Sequence, residues 1–103
     1  MLYLTQLIYL HDGGEAAFQE FEDLVLPRLS LYGGELVLRV RPGVDTMIVG
    51  SAAAPYELHI VRFDTEDGLA RYTHDDVRQK AMHLKDRSVR SIVVIRGDVR
   101  TPV

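Results

Sequence analysis

A chain of 103 residues, 47% of them hydrophobic and none in a low-complexity tract, has the size and composition of a single globular domain covering residues 1–103. A formal charge of −3 offers no clustered basic surface and argues against nucleic acid as a partner. The absence of cysteine excludes disulfide frameworks, thiolate metal sites and cysteine nucleophiles; it leaves the redox compartment unreported, so the cytoplasm is the default location.

The opening run MLYLTQLIYL is apolar, but it lacks a basic n-region and a small-residue cleavage site and is too short to span a bilayer. No membrane association is therefore expected, and Leu2 to Leu10 is predicted to be the first strand, ended by His11-Asp12-Gly13-Gly14. From Glu15 the period changes. Phe18, Phe21, Val25, Leu29 and Tyr32 recur at spacings of 3, 4, 4 and 3, one stripe of an amphipathic helix, with Glu15, Glu20, Glu22 and Asp23 falling elsewhere. Pro27 removes a backbone hydrogen bond inside this pattern and predicts a kink or restart near Asp23 to Leu26. Gly33-Gly34 supplies the left-handed stop.

Glu35 to Arg41 alternates as a second strand broken by Pro42-Gly43, with Thr46 to Gly50 a candidate continuation beyond a bulge or turn. Ser51 to Pro55 reads as a small-residue connection and Tyr56 to Phe63 as the third strand. Asp64 or Thr65 caps a further helix whose first turn carries Glu66 and Asp67. Its apolar pattern, Leu69 and Tyr72, breaks at Thr73-His74-Asp75 and resumes with Val77, Ala81 and Leu84; two short helices and one bent helix fit equally. Arg90 to Gly97 is the fourth strand and Asp98 to Val103 a tail.

The order is β-α-β-β-α-β, an α+β, ferredoxin-like antiparallel sheet with helices on one face. A solvated second face would alternate apolar with polar residues, yet the first strand sets Leu2, Leu4 and Ile8 against Tyr3, Leu7 and Tyr9, and the fourth sets Val93 and Ile95 against Ile92 and Val94. Two helices cannot cover both sides, so the second face is expected to meet another copy through a two-fold axis.

With that order, the turn Tyr-Gly-Gly-Glu-Leu (Tyr32 to Leu36) and the run Glu57 to Tyr72 (ELHIVRFDTEDGLARY), the chain resembles the dimeric α/β-barrel superfamily, specifically its small uncharacterised members related to the antibiotic-biosynthesis monooxygenases. The resemblance runs from Leu2 to Gly97. It implies a homodimer whose sheets close a shared barrel, and a cleft between sheet and helices able to hold a small organic molecule. Activities in the superfamily include cofactor-independent oxygenation, lactone isomerisation, haem degradation and dechlorination; no catalytic set of any one member is matched here, so the resemblance implies architecture rather than reaction.

Candidate residues follow from chemistry. His59 shares a strand face with Glu57, Val61 and Phe63, and an imidazole in a partly buried cleft can act as acid or base, with Tyr9 or Tyr32 holding its partner atom. The commoner state of such a histidine is a packed ring satisfied by backbone or a carboxylate. Arg39 and Arg62 could fork onto a ligand carboxylate, or pair with Glu35, Glu57 or an acid of a second subunit, as buried charges usually do.

His74, Asp75 and Asp76, with His83 nine residues beyond His74, have metal-ligand types, but the two imidazoles would point to roughly opposite sides of one helix and HExxH spacing is absent; a helix cap explains the cluster and no metal is expected. Arg78, Lys80, Lys85 and Arg87 read as a solvated basic face. Paired glycines do not form a nucleotide loop, no serine sits in GxSxG, and no cofactor is implied.

The function expected is binding of a small apolar or aromatic metabolite between sheet and helices, with His59, Tyr9, Tyr32, Arg39 and Arg62 nearby. The alternatives are a cofactor-independent monooxygenase or isomerase using His59, and a purely structural dimerisation module. A packed interior beside His59 favours the last; a pocket of roughly 300 Å³ or more with convergent polar groups favours the others.

Overall fold

The computed structural model describes residues 1–98. Strand β1 (Leu2–Leu10) leads into helix α1 (Glu15–Val25), and a 3-10 segment, Leu26–Tyr32, carries the chain to β2 (Gly34–Val40). Beyond a short 3-10 turn at Val44–Thr46 come β3 (Glu57–Phe63), α2 (Glu66–Thr73), α3 (Asp76–Ser88) and β4 (Val89–Asp98). The four strands form one antiparallel sheet in the order β2-β3-β1-β4, with Leu4 opposite Val61 on one side of β1 and opposite Arg96 on the other. This is the ferredoxin-like α+β arrangement expected from the alternation of periods.

Each helix boundary has a local cause. Pro27 sits at the start of the 3-10 segment, where its missing N–H disrupts the α-helical ladder, so the expected kink is a change of helix type. Gly33 closes the segment in the left-handed conformation at φ 71°. The Thr65 hydroxyl accepts from the Gly68 N–H and caps α2. Asp75 accepts from the Arg78 N–H and caps α3, which resolves the Thr73-His74-Asp75 break into two helices.

The core lies between the helices and the inward face of the sheet. Ile8, Phe18 and Phe63 are each no more than 2% exposed. Complete burial of such side chains contributes about 1.5–3 kcal/mol apiece. Tyr3, Leu7 and Tyr9 of β1 point the other way, and so do Leu58 and Ile60 of β3, which the pairing sets opposite Leu7 and Thr5. On this outer face Leu38, Val40, Val93 and Ile95 are 40–55% exposed. Both sheet faces are apolar, as the strand pattern indicates, and the helices cover one.

Four expectations are corrected. Thr46 to Gly50 does not prolong β2; the Thr46 side chain donates to the Gly43 carbonyl oxygen at 2.7 Å and turns the chain away, leaving Ile48 and Val49 exposed. β2 starts at Gly34 and carries a register shift between Leu36 and Leu38. The extra residue sends Leu36 and Arg39 to the helix side and Leu38 and Val40 to the open side, where simple alternation would have kept the three apolar residues together. β4 begins at Val89 and includes Asp98, so of the expected tail Asp98 is strand and residues 99–103 lie outside the described residues. Glu22, assigned to the outside of α1, is 6% exposed and faces inward. Among the described residues no helix is long and apolar enough to cross a membrane.

Gly68 tests the packing of α2 on the 3-10 segment, because a Cβ there would overlap the Tyr32 carbonyl oxygen. Alanine gains roughly 1 kcal/mol in helix propensity, but backbone overlap of this kind costs about 1–3 kcal/mol. Gly68→Ala is therefore expected to lower the denaturation midpoint, and an unchanged or raised midpoint would contradict this packing.

Candidate functional site

His59 and Glu57 alternate on β3 toward the helices, and the register places Arg39 of β2 opposite His59. His59 Nε2 lies 2.6 Å from Glu57 Oε1, and the same carboxylate accepts from Arg39 Nε at 2.6 Å and from Arg41 Nε at 2.7 Å. Gln19 of α1 accepts from Arg41 Nη2 at 2.9 Å. Burial pushes the Glu57 carboxyl up, but the bonds from Arg39, His59 and Arg41 outweigh it and hold the pKa below the ordinary value. Burial pushes His59 below its ordinary value despite the neighbouring carboxylate. A neutral imidazole then donates its Nε2–H to Glu57, and the ring packs 6.3 Å from Phe18. The partner expected for His59 at Tyr9 or Tyr32 is supplied by Glu57.

The other flagged residues are dispersed. Tyr9 lies on the open face, its hydroxyl donating to the Ala53 carbonyl oxygen at 2.9 Å. Tyr32 donates to Asp75, which also receives Arg28 Nη2 at 2.8 Å. Arg62 bridges Glu35, at 2.9 Å, and Asp64. His74 is exposed in the turn after α2 and His83 is exposed on α3, and among the described residues no three acids or imidazoles converge on a possible metal position.

A cavity of about 230 Å³ lies elsewhere, between the sheet and all three helices. Its floor is Leu4, Gln6 and Ile8 of β1 with Val61 and Phe63 of β3, and α1 covers it with Phe18, Phe21, Glu22 and Val25. Leu69 and Tyr72 of α2 close one side; Arg78 and Lys85 of α3 and Val94 of β4 close the other. None of His59, Tyr9, Tyr32, Arg39 or Arg62 lines it. The cavity is smaller than the expected 300 Å³ or so, and the polar groups that converge on it were not singled out from the sequence.

Two groups of the polar wall, Glu22 and the Arg78 Nε–H, lack hydrogen-bond partners among the described residues. Glu22 is buried, yet it makes neither an ion pair nor a hydrogen bond among the described residues, and burial raises its pKa from the ordinary 4.5 to about 7. The surrounding charges are Arg39, Glu57, Arg78 and Lys85. The Arg78 guanidinium lies 5.3 Å from the Tyr72 ring centre and 6.0 Å from that of Phe21, and its buried Nε–H has no acceptor among the described residues. Burial lowers the Lys85 pKa and pushes the Tyr72 hydroxyl up to about 12. The α3 face read as a solvated basic patch thus turns Arg78 and Lys85 inward.

Glu22 was legible in principle: it stands four residues after Phe18 and three before Val25, in the helical register of the apolar stripe. Arg78 gave less signal, since it neighbours the stripe of α3 without belonging to it.

No family model matches the chain, and no curated protein matches it. Solved structures do. One is a protein of unknown function from Rhodopseudomonas palustris, at 16% identity and TM-score 0.84, covering 98% of this chain and 83% of that one. A NIPSNAP domain protein from Burkholderia xenovorans matches at 11% identity and TM-score 0.69, covering 97% and 95%. A protein from Bacteroides fragilis, described as dimeric, of unknown function and of ferredoxin-like fold, matches at 12% and 0.61, covering 95% of each chain. At these identities the likeness concerns the fold, and it defines the chain as a ferredoxin-like α+β protein.

The raised Glu22 pKa has a definite consequence for stability. A carboxyl whose folded pKa exceeds its unfolded value stabilises the native state below the unfolded pKa and loses that contribution as pH rises toward the folded one. Between pH 4.5 and about 7 the loss is on the order of 3 kcal/mol. His59, held below its ordinary value, acts in the opposite sense over part of this window. The difference between wild type and Glu22→Gln isolates Glu22: urea unfolding is expected to show the variant's relative stability growing across this range. A difference independent of pH would contradict the burial of an unpartnered carboxyl.

Proposed function

We propose that the protein binds a small, largely apolar or aromatic molecule in the cavity between sheet and helices, as a homodimer joined through the open sheet face. The observation that carries the binding reading is the cavity itself, about 230 Å³ walled by Phe18, Phe63, Leu69 and Tyr72 with Glu22 and Arg78 at its polar side. A cavity of about 150 Å³ is known to admit benzene, so this one suits a substituted ring. A buried guanidinium N–H without an acceptor among the described residues, as at Arg78 Nε, costs about 1–3 kcal/mol in a purely structural module. Occupancy by a ligand with matching polar groups offsets that cost.

The homodimer is supported by the exposed apolar outer face and by the dimeric description of the Bacteroides fragilis neighbour. In this reading His59 has a packing role, since its ring is held by Glu57 outside the cavity lining.

A thermal-shift screen of monocyclic and bicyclic aromatic compounds tests the reading. A ligand at ten times its dissociation constant adds about 1.4 kcal/mol to native stability, several degrees of Tm for a chain of this size. Leu69→Trp, which fills the cavity, is expected to abolish the shift. A screen in which no compound raises Tm, or a shift that persists in the filled variant, would sink the proposal.

A further inference from the structure

The polar side of the cavity bears on the chemistry of its occupant, on the reading that it binds a ligand at all. Two cationic side chains, Arg78 and Lys85, line it, and one carboxyl, Glu22, stands among them. Arg78 is the better defined. Its guanidinium is stacked near Tyr72 and Phe21, its Nη1 is 3.6 Å from the Met82 sulfur, a weak acceptor, and its buried Nε–H has no acceptor among the described residues.

Elsewhere in this protein the guanidinium groups on carboxylates are satisfied: Arg39 and Arg41 on Glu57, Arg28 on Asp75, Arg62 on Glu35. Arg78, which lines the cavity, is paired with no carboxylate among the described residues. Glu22, the nearby carboxyl that could have quenched it, forms no ion pair within 4.0 Å and loses its charge readily through burial. The remaining wall is aliphatic and aromatic.

We infer that the occupant is a ring-sized, otherwise apolar molecule carrying one oxyanion, a carboxylate or an ionised enol or phenol, which accepts from Arg78 Nε while the Glu22 carboxyl donates to the same group. A carboxylate fits a guanidinium better than any neutral oxygen does, and charge-assisted bonds are about twice as strong as neutral ones. The arrangement couples binding to a proton. An oxyanion beside Glu22 favours its neutral form, so above the pH at which Glu22 ionises each binding event takes up a proton. The groups facing Glu22 are Arg39 from β2, Glu57 from β3, and Arg78 and Lys85 from α3. Tyr72 of α2 shares the cavity wall with it and remains un-ionised throughout the range concerned.

Isothermal titration of the intact chain with benzoate, benzamide and toluene tests this inference apart from the binding reading. At about pH 6 benzoate is expected to bind at least about tenfold more tightly than benzamide or toluene. Arg78→Met is expected to remove that preference, so that benzoate binds the variant no more tightly than toluene does. Glu22→Gln is expected to keep the preference and abolish the proton uptake, read from buffers of different ionisation enthalpy near pH 8. If toluene or benzamide binds wild type as tightly as benzoate, the oxyanion inference falls and the apolar cavity reading stands. If none of the three binds wild type at millimolar concentration, both fall together.

Discussion

A four-stranded sheet has two faces to keep from water, and the connections of this chain place α1, α2 and α3 on one of them. The covered face holds the core of Ile8, Phe18 and Phe63; the other presents Leu38, Val40, Val93 and Ile95 at the surface with Leu58 and Ile60 partly exposed between them. Apolar side chains repeated across four strands are not the pattern of a solvated sheet face. The same one-sided cover shapes the interior. Helices of 11, 8 and 13 residues do not tile a sheet whose outer strand, β4, runs for 10 residues, and a cavity is left between the three helices and the sheet.

Within that frame the protein treats its buried charges in two ways. Glu57 is fully buried and satisfied by Arg39, Arg41 and His59, tying the two strands β2 and β3 together and, through Gln19, to α1. Glu57 keeps its charge in the interior because several donors share it, where an unpaired buried carboxylate would be strongly destabilising. Asp75 is treated alike, capping α3 while receiving Arg28 and Tyr32, and those bonds hold its pKa far below the ordinary value. Glu22 and Arg78 are the opposite case. They face the cavity from α1 and α3, and among the described residues Glu22 makes no hydrogen bond or ion pair and the Arg78 Nε–H has no acceptor. A polar group kept unsatisfied in an otherwise well-bonded fold is better explained by something it meets than by what it holds together.

Much of the architecture was legible because two periods carry it. Strand-forming runs bounded by turn residues marked β1 and β3 to within a residue, and the Phe18, Phe21, Val25 stripe marked α1 and its inward face. The outer face was readable for the same reason, since Leu7, Val93 and Ile95 occupy positions where a wet sheet would carry polar groups. The bulge at Val37 was not readable: an inserted residue leaves no compositional trace, yet it decides that Arg39 reaches Glu57 and that Leu38 joins the open face. His59 was recognised as inward-facing, but its partner two residues away on the same strand face outranks any tyrosine. Glu22 was set aside because a helical stripe was traced through its apolar members alone, and a charged residue in phase with that stripe is the signal of a buried polar group.

The account stands or falls on whether the open sheet face is covered in solution. Sedimentation equilibrium of the purified chain at micromolar concentration measures this directly. The expected mass is twice the 11.7 kDa of one chain, with no dependence on loading concentration in that range. A species of 11.7 kDa throughout would mean that the apolar outer face tolerates water, and would contradict the one-sided-cover argument.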